Sequence, residues 1–355
     1  MKSEFTFIHE TVGTGKHAGS KARKDVDAIF YTILSSPIFS YKERVFHSII
    51  EKIRYVFNIR NIKNIFSLLR IYNKKIFIQY PFYCNPILRE GLLRCLSRNN
   101  VILIIHDVNS LRDFGQEKIS DEIKVFNKCK GLIVHNKYML DSLQRLGVIS
   151  PMIKLDLFDY IRDNNFHPNR NFAPIVSFAG NLSKSTFLYN DLENIEVTFF
   201  LYGINYNKKN IKSANTNYKG AFSAEEIPAR LEGSFGLIWD GDSIDTCSGA
   251  FGEYTRYNNP HKLSLYVSSC LPVIVWSQAA IADFVKEQDI GFCVDKLSDI
   301  NTVLDSMTEE DYARYLKNIT ALQEKVINGY FTKKAIRKAF DVKVFVRGRE
   351  NAENS

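Results

Sequence analysis

Short apolar runs alternate with longer amphipathic segments along most of the chain, and this alternation predicts its elements. In the first half, apolar runs of strand length lie at residues 5–8, 76–79, 101–105 and 131–134. Helical periodicity lies at residues 20–35, 119–129 and 136–146, and Gly147 ends the last of these as a natural C-cap. The pattern is typical of an α/β fold with parallel strands.

The same pattern restarts after residues 159–174, a polar segment without periodicity in which we expect an interdomain linker. Further strands are predicted at 175–179, 197–202, 236–239, 272–275 and 291–294. Further helices are predicted at 224–232, 262–269, 279–287 and from about 299 onward, where the chain is basic. We therefore expect a first domain at 1–162, a second at 163–320, and a basic C-terminal helix and tail at 321–355 that can pack back on the first lobe.

Composition excludes several classes of protein. The chain has 355 residues, of which 45% are hydrophobic, so it can bury a large core and is not a disordered chain. Its six cysteines lie far apart without a C-x-x-C pair, which argues against a zinc site or a disulfide framework and favours a reducing compartment. The apolar runs are too short to cross a membrane and no signal peptide is evident, so we expect a soluble, cytoplasmic protein.

The net charge of +8 is concentrated in two stretches. Residues 41–75 contain nine Lys or Arg against two Glu, and residues 321–350 contain eight basic residues against three acidic ones. Both stretches interleave cations with Ile, Phe, Tyr and Val, a pattern that suits an anionic membrane surface. A solvated helix face is the simpler alternative, and nucleic acid is a rival polyanion. Because no nucleic-acid-binding motif is present, we do not expect a nucleic-acid partner.

A glycine-rich segment, residues 13–19, follows the first predicted strand. Its spacing fits neither G-x-x-x-x-G-K-[ST] nor G-x-G-x-x-G, which excludes a P-loop and a dinucleotide fingerprint. It is either a plain surface turn or a flexible loop whose amides and neighbouring cations hold an acceptor or a phosphate. The candidate acceptor-binding residues are Gly19, Ser20, Lys21 and Arg23.

Two residue pairs directly follow predicted strands, the position at which α/β enzymes carry ligand-binding and catalytic residues. His106 and Asp107 end the strand at 101–105, and either side chain could accept a proton from an acceptor hydroxyl. The alternative is that Asp107 only caps a helix. Gly180 and Asn181 follow the strand at 175–179; the glycine permits close approach of a ligand, and Asn181 and Ser183 could bind sugar or phosphate. A tight turn would also explain the Gly-Asn pair.

The segment 235–264 carries the richest set of candidate donor-binding residues. An apolar strand leads into Asp240 and Asp242, whose carboxylates could meet sugar hydroxyls. A predicted helix then starts with a lysine, so amides, helix dipole and cation together suit a pyrophosphate. The candidates at this helix start are Asn258, Asn259, His261, Lys262, Leu263 and Ser264. Asp-Gly-Asp also matches a D-x-D metal clamp, which remains a weaker alternative.

Five segments resemble, in the same order, the bacterial β-1,6-galactofuranosyltransferases of O-antigen and surface-polysaccharide assembly. They are SKARKD at 20–25, IIHDVNSLR at 104–112, VHNKYM at 134–139, FAGNLS at 178–183 and the long stretch at 236–284. A more distant resemblance is to the glucosyltransferase 3 family, which adds a sugar to streptococcal serine-rich adhesins. That family shares the HDV and K-L positions but lacks CSGAFG.

The resemblance implies a GT-B fold, in which two Rossmann-like lobes face each other across a cleft, with the nucleotide-sugar donor in the second lobe and no obligatory metal or cofactor. Lys262 and its helix start would hold the diphosphate, and Gly180 and Asn181 would line the cleft beside it. Residues 218–222, including Phe222, would lie near uracil, and Asp240 and Asn259 near the sugar or ribose. His106 and Asp107 would face the acceptor.

From these observations we expect an inverting glycosyltransferase that moves galactofuranose from UDP-galactofuranose to a hydroxyl of an oligosaccharide, which can be lipid-linked. A peripheral position on the inner face of the plasma membrane and a homo-oligomer are both compatible with this expectation. The first alternative is an enzyme that uses UDP-glucose or another UDP-hexopyranose. The second is a non-catalytic protein that binds a nucleotide sugar or a carbohydrate.

Overall fold

The first lobe is built on a six-stranded parallel sheet with strand order β2-β1-β3-β4-β5-β6. In the computed structural model, the residues described are 4–11, 18–34, 36–42, 65–112, 118–162, 168–190 and 192–341. The strands of this sheet are β1 (Phe5–Thr11), β2 (Phe39–Lys42), β3 (Lys75–Tyr80), β4 (Asn100–Ile105), β5 (Gly131–Val134) and β6 (Met152–Lys154). Its helices are α1 (Ala18–Ile33), α2 (Pro86–Arg98), α3 (Asn109–Arg112), α4 (Ile119–Asn127) and α5 (Lys137–Arg145), and residues 65–69 are also helical.

The second lobe repeats this architecture with strand order β12-β11-β10-β7-β8-β9, again all parallel. Its strands are β7 (Ile175–Ala179), β8 (Thr198–Tyr202), β9 (Thr216–Gly220), β10 (Phe235–Ile238), β11 (Val273–Trp276) and β12 (Gly291–Val294). Its helices are α6 (Ile227–Arg230), α7 (Gly249–Tyr254), α8 (His261–Ser268), α9 (Ala282–Gln288) and α10 (Asp299–Ser306). The α/β expectation with two lobes is confirmed.

The central strands are nearly continuous apolar runs because helices cover both faces of the sheet. Along β3 and β4, alternate side chains point to opposite faces. Phe77 and Ile104 pack with Phe30 of α1, whereas Ile78 and Leu103 pack with the α2 face. The buried apolar side chains on the α1 side of this sheet form one continuous cluster with the core of the second lobe.

Two C-terminal helices, α11 (Glu309–Ile327) and α12 (Tyr330–Asp341), return the chain from the second lobe to the first. Helix α11 packs on α8, and α12 packs on α1 and β6. Phe340 of α12 contacts Phe5 with a ring-centroid distance of 4.5 Å. The Asp159 carboxylate accepts hydrogen bonds from the Phe331 and Thr332 amides at the start of α12, and burial raises its pKa to about 6.

Most predicted elements are present with their ends shifted by one or a few residues, and Gly147 ends α5 with a φ of 102° as predicted. The helix predicted at 224–232 is wrong in length: only α6 forms, because Pro228 lies within it and Gly233 follows at a φ of 86°. Strands β2, β6 and β9 and helices α2, α3 and α7 were not predicted. The edge strand β9 is polar and largely exposed, so it lacks the apolar run that marks a strand.

Three expectations fall wholly or partly outside the described residues. These are the glycine loop before Ala18, most of the first basic stretch, and the tail after Asp341. Within the residues that the structure describes, no helix has the length and apolar character needed to span a membrane.

Candidate active site

Two adjoining cavities lie beyond the carboxyl ends of the strands, where ligands of open parallel sheets bind. The smaller cavity, of about 270 Å³, is formed mainly by the second lobe, and the larger cavity, of about 500 Å³, lies between the lobes. Asn181, Ile204 and His261 line both of them. A ligand in one cavity would therefore contact a ligand in the other at this shared boundary.

Backbone forms one wall of the smaller cavity, because a glycine directly follows each of two adjacent strands. Gly180 follows β7 and Gly203 follows β8. Gly203 has a φ of 140°, and a Cβ there would lie 1.7 Å from the Gly180 carbonyl oxygen, so no other residue fits. A Cβ on Gly180 would lie 3.4 Å from Cε of Lys262. The glycines thus bring backbone and the lysine to one wall of the cavity.

Lys262 brings the main cationic group to the smaller cavity. It lies in the first turn of α8, whose start has no side-chain cap. Its Nζ donates to Asp240 Oδ1 at 2.8 Å and to the Trp239 carbonyl at 3.3 Å, and it lies 4.8 Å from the centre of the Phe178 ring. An uncapped helix start beside a cation is an arrangement that suits an anion, and binding of the donor diphosphate here stays a prediction.

The rest of the smaller cavity is mostly apolar. Phe222, Ala224, Ile227 and Leu265 line it, and the Tyr160 hydroxyl donates to the Ala224 carbonyl at 2.5 Å. An aromatic ring beside aliphatic side chains suits a planar, weakly polar group such as a nucleobase.

His106 and Asp107 line the larger cavity. The His106 ring stacks on Phe158 at 5.2 Å between centroids and 14° between planes, and its Nε2 lies 2.6 Å from Gln79 Oε1. Burial, with Arg23 and two further histidines nearby, holds the His106 pKa well below its ordinary value, so the ring is neutral near pH 7.

Asp107 does not cap the following helix, which was the alternative explanation for this residue. Its Oδ2 accepts a hydrogen bond from Arg112 at 2.7 Å, and about a quarter of the side chain is exposed. The Asn109 and Ser110 amides at the start of α3 donate instead to the Glu122 carboxylate. Asp107 thus faces the cavity with its carboxylate paired with Arg112.

The four predicted acceptor-binding residues separate in the structure. Ser20 and Arg23 line the larger cavity, with Arg23 lying 4.5 Å from the centre of the Tyr83 ring. Lys21 lines neither cavity, because its buried Nζ donates to Asp25 Oδ1 and to the Ile161 carbonyl, both at 2.6 Å. Gly19 lies in the first turn of α1.

Several predicted donor-binding side chains bind protein instead. Asp242 lies at the start of α7, where its carboxylate accepts from Ser248 Oγ, and Ser183 donates to Asn181 Oδ1 at 2.9 Å. Leu263 is fully buried, and Ser264 donates from the core to the Phe158 carbonyl at 2.7 Å. In this structure the four side chains contact protein, and their contact with the donor stays a prediction, as does that of the start of α8.

Asn258 and Asn259 lie at the boundary between the lobes. Asn259 Nδ2 donates to the His135 and Asp156 carbonyls at 3.0 and 2.9 Å. The backbone N–H of Asn259 donates to His135 Nδ1 at 2.8 Å. Its side chain therefore joins the two lobes in this structure, and its contact with a sugar stays a prediction. Asn258 lines the larger cavity, and its Oδ1 is buried without a hydrogen-bond partner.

Sequence reasoning missed most of the wall of the smaller cavity and nearly half of the wall of the larger one. The residues it missed are Tyr160, Ala179, Tyr202, Gly203, Ile204, Ala224, Ile227 and Leu265 in the smaller cavity, and Ala22, Tyr83, Arg112, Phe158, Lys184, Pro260 and the shared Ile204 in the larger one. Most are apolar or aromatic and carry no motif. Gly203 follows a strand just as Gly180 does, so the same signal could have identified it.

No group of three or more His, Cys, Asp or Glu side chains converges to bind a metal within the described residues. The two carboxylates of the Asp-Gly-Asp segment bind different partners, Lys262 for Asp240 and Ser248 for Asp242. That the reaction needs no metal remains a prediction.

Two family models match most of the chain between them. The glucosyltransferase 3-like N-terminal domain matches residues 6–157, and the glucosyltransferase 3-like C-terminal domain matches residues 176–339. The chain is 35% identical over 253 residues to the β-1,6-galactofuranosyltransferase WbbI of Escherichia coli K12, which covers 69% of this chain and 73% of that protein. It is 27% identical over 239 residues to glucosyltransferase 3 of Streptococcus gordonii, covering 66% of this chain and 69% of that protein.

Solved structures of low sequence identity share the whole architecture. HepE of Anabaena, in complex with UDP-glucose, superposes with a TM-score of 0.61 at 11% identity, over 94% of this chain and 99% of that one. WaaG, a glycosyltransferase involved in lipopolysaccharide biosynthesis, superposes with a TM-score of 0.56 at 10% identity, over 93% and 98% of the two chains. The expected GT-B fold and the expected family resemblance are both confirmed.

Proposed function

The chain belongs to the glucosyltransferase 3-like family of glycosyltransferases, and from this premise we propose that it transfers galactofuranose from UDP-galactofuranose to a hydroxyl of a glycan acceptor. The observation that carries the proposal is the pair of adjoining cavities. One has a cation and an uncapped helix start, the other has a carboxylate and a neutral imidazole, and they meet at Asn181 and His261.

In this proposal the donor occupies the smaller cavity. The diphosphate lies against Lys262, the start of α8 and the Gly180 backbone, and uracil lies against Phe222. In this position the negative charge of the diphosphate lies next to the lysine and the positive end of the helix dipole, both of which stabilise it. The sugar then projects past His261 into the larger cavity.

The acceptor enters the larger cavity, and the reaction is a direct displacement with inversion. The acceptor oxygen forms a bond to the anomeric carbon as the bond from that carbon to the β-phosphate oxygen breaks. The hydroxyl proton passes to Asp107 or His106, and UDP leaves with the electron pair. Lys262 stabilises the negative charge that develops on the leaving oxygen.

The choice of galactofuranose is supported by WbbI, the more similar of the two relatives compared above. The second candidate is transfer of glucose from UDP-glucose, which the glucosyltransferase 3 relative and the UDP-glucose complex of HepE favour. The apolar walls accept uracil in either case, so the identity of the sugar depends on the boundary between the cavities.

A cytoplasmic position at a membrane surface is part of the proposal. All six cysteines are free, as in a reducing compartment. Helices α11 and α12 form a cationic surface whose groove contains Lys325, Lys333, Lys334, Arg337 and Lys338. Exposed Tyr330 borders it, a combination that suits anionic headgroups.

Co-sedimentation with vesicles tests the membrane part of the proposal. The unaltered chain should bind phosphatidylglycerol vesicles and not phosphatidylcholine vesicles, and the K333E/R337E variant should lose this binding while its transfer rate on a soluble acceptor is unchanged. Equal binding of both chains would remove the cationic surface from the proposal, and displacement from vesicles by RNA would favour a nucleic-acid role.

Product analysis tests the reaction itself. Purified protein is offered UDP-galactofuranose and UDP-glucose side by side with a panel of glycan acceptors, and products are identified by mass spectrometry and NMR. We expect a galactofuranosyl product with inverted anomeric configuration. A glucosyl product would establish the second candidate. Binding of UDP without any product would indicate a non-catalytic nucleotide-sugar-binding protein.

A further inference from the structure

Behind His106 lies a buried amide that the reaction scheme above does not use. Gln79 is the penultimate residue of β3 and lies beside His106, which follows β4; only 2% of Gln79 is exposed. Its Oε1 lies 2.6 Å from His106 Nε2, and its Nε2 lies 3.3 Å from the Arg23 carbonyl and 2.9 Å from Asp27 Oδ1. Every polar atom of the Gln79 side chain therefore has a partner.

The Arg23 carbonyl decides which way the amide points. A backbone carbonyl can only accept a hydrogen bond, so the group next to it must be the NH₂ of Gln79. The opposite end, facing His106, is then the carbonyl oxygen, which also can only accept. His106 must consequently donate from Nε2.

This hydrogen bond selects one tautomer of the imidazole. A neutral imidazole that carries its proton on Nε2 has a free electron pair on Nδ1. Because Phe158 stacks on the ring at 14°, its plane is also held. His106 lines the larger cavity, and Nδ1 is the ring nitrogen left to accept a hydrogen bond from a ligand there.

We propose that Gln79 is a positioning residue that holds His106 in the Nε2–H tautomer, so that Nδ1 accepts a hydrogen bond from the reacting hydroxyl of the acceptor. This inference rests on the proposed function, since it assigns the acceptor to the larger cavity. Asp27 has a supporting role, because Asp27 and the Arg23 carbonyl both accept from Gln79 Nε2. Together they prevent a 180° rotation of the Gln79 side-chain amide.

The tautomer can be read directly by NMR of the full chain labelled with ¹⁵N-histidine. The chain has seven histidines, and comparison with an H106N variant identifies the His106 signals. We expect a protonated Nε2 and an unprotonated Nδ1. The opposite tautomer, or rapid exchange between the two, would overturn the proposal without any measurement of activity.

Two variants of Gln79 separate positioning from folding. Q79M keeps the length of the side chain but removes the acceptor, so His106 should lose its single tautomer. Q79E keeps an oxygen that can accept from Nε2–H, although the Arg23 carbonyl loses the donor that it has in the unaltered chain. Q79E should therefore keep the Nε2–H tautomer.

Kinetics then connect the tautomer to transfer. We expect kcat of Q79M to fall by about 10- to 100-fold while its affinity for UDP is unchanged, and Q79E to recover part of the loss. Q323M is the matched control, because Gln323 is equally buried and donates to the Ser268 carbonyl at 2.8 Å, away from His106. It should lower stability without changing the tautomer or kcat by this amount.

The outcomes distinguish the two proposals. If the unaltered chain makes no product from any UDP-sugar, the proposed function fails. If it makes product and Q79M transfers at the rate of the unaltered chain or of Q323M, the function stands and the positioning role of Gln79 fails.

Discussion

Replacing Lys262 by methionine isolates the charge that is proposed to hold the diphosphate. Methionine keeps a long, flexible side chain that can still pack on Phe178 and Gly180, so the wall of the smaller cavity should be preserved. What disappears is the ammonium group that now donates to Asp240 and to the Trp239 carbonyl.

The loss of affinity can be worked from these contacts. A hydrogen bond to a charged group contributes about 1.5–3 kcal/mol, which corresponds to about a 10- to 150-fold rise in the Kd for UDP. Asp240 would then lie beside the diphosphate without its cation, and the repulsion moves the expectation toward the upper part of that range. D240N should bind UDP at least as tightly as the unaltered chain, because Lys262 loses a competing partner.

Titration calorimetry with UDP measures the effect, and the thermal midpoint of each variant checks that the fold is intact. K184M is the matched control, because Lys184 lines the larger cavity in a more exposed position. The substitution removes the same charge as K262M does. Its effect on UDP binding should be much smaller because solvent and salt screen it. A K262M variant that folds normally and binds UDP as tightly as the unaltered chain would refute the assignment of the diphosphate to this site.

Three further predictions test the chemistry and the packing around it. D107N distinguishes the two candidate bases: a transfer rate lower by at least about 100-fold with unchanged UDP affinity would assign the proton to Asp107, and retained turnover would leave His106 as the base. L263A should lower the free energy of unfolding by about 2–5 kcal/mol in urea titrations, because Leu263 is fully buried on the inner face of α8; a loss under about 1 kcal/mol would contradict this packing. EDTA should leave the transfer rate unchanged, and a loss of activity that Mn²⁺ restores would favour the metal-clamp alternative.

Local pattern was sufficient for the parts of the site made by consecutive residues. The helix start at His261 and the cation at Lys262 are adjacent in the sequence, and the buried strand β10 is marked by its own apolar run. The same holds for Gly180, because a glycine directly after a buried strand indicates close approach of backbone. These predictions needed no knowledge of which strands are neighbours.

Tertiary contacts explain why some predicted site residues bind protein in this structure. Lys21 looks like a free cation at a helix start, but the Ile161 carbonyl, 140 residues away, and Asp25 occupy its Nζ. Asn259 looks like a sugar ligand, but its amide binds the carbonyls of His135 and Asp156 in the first lobe. Such contacts depend on how the lobes pack, and no spacing in the sequence encodes them.

The apolar walls were missed for a different reason. Ile227 and Leu265 differ in no visible way from the core residues around them, because whether an apolar side chain faces a cavity or the core is a property of shape. The Gln79–His106 contact joins adjacent strands β3 and β4, so predicting it required the strand order as well as the strands.

A crystal structure of the full chain with UDP bound tests the central claim most directly. We expect the β-phosphate within hydrogen-bond distance of Lys262 Nζ and of the first amides of α8, with uracil against Phe222. If the phosphates lie elsewhere while Lys262 keeps its contacts with Asp240 and Trp239, the start of α8 is not the site that binds the leaving group, and the proposed arrangement of donor and acceptor is wrong.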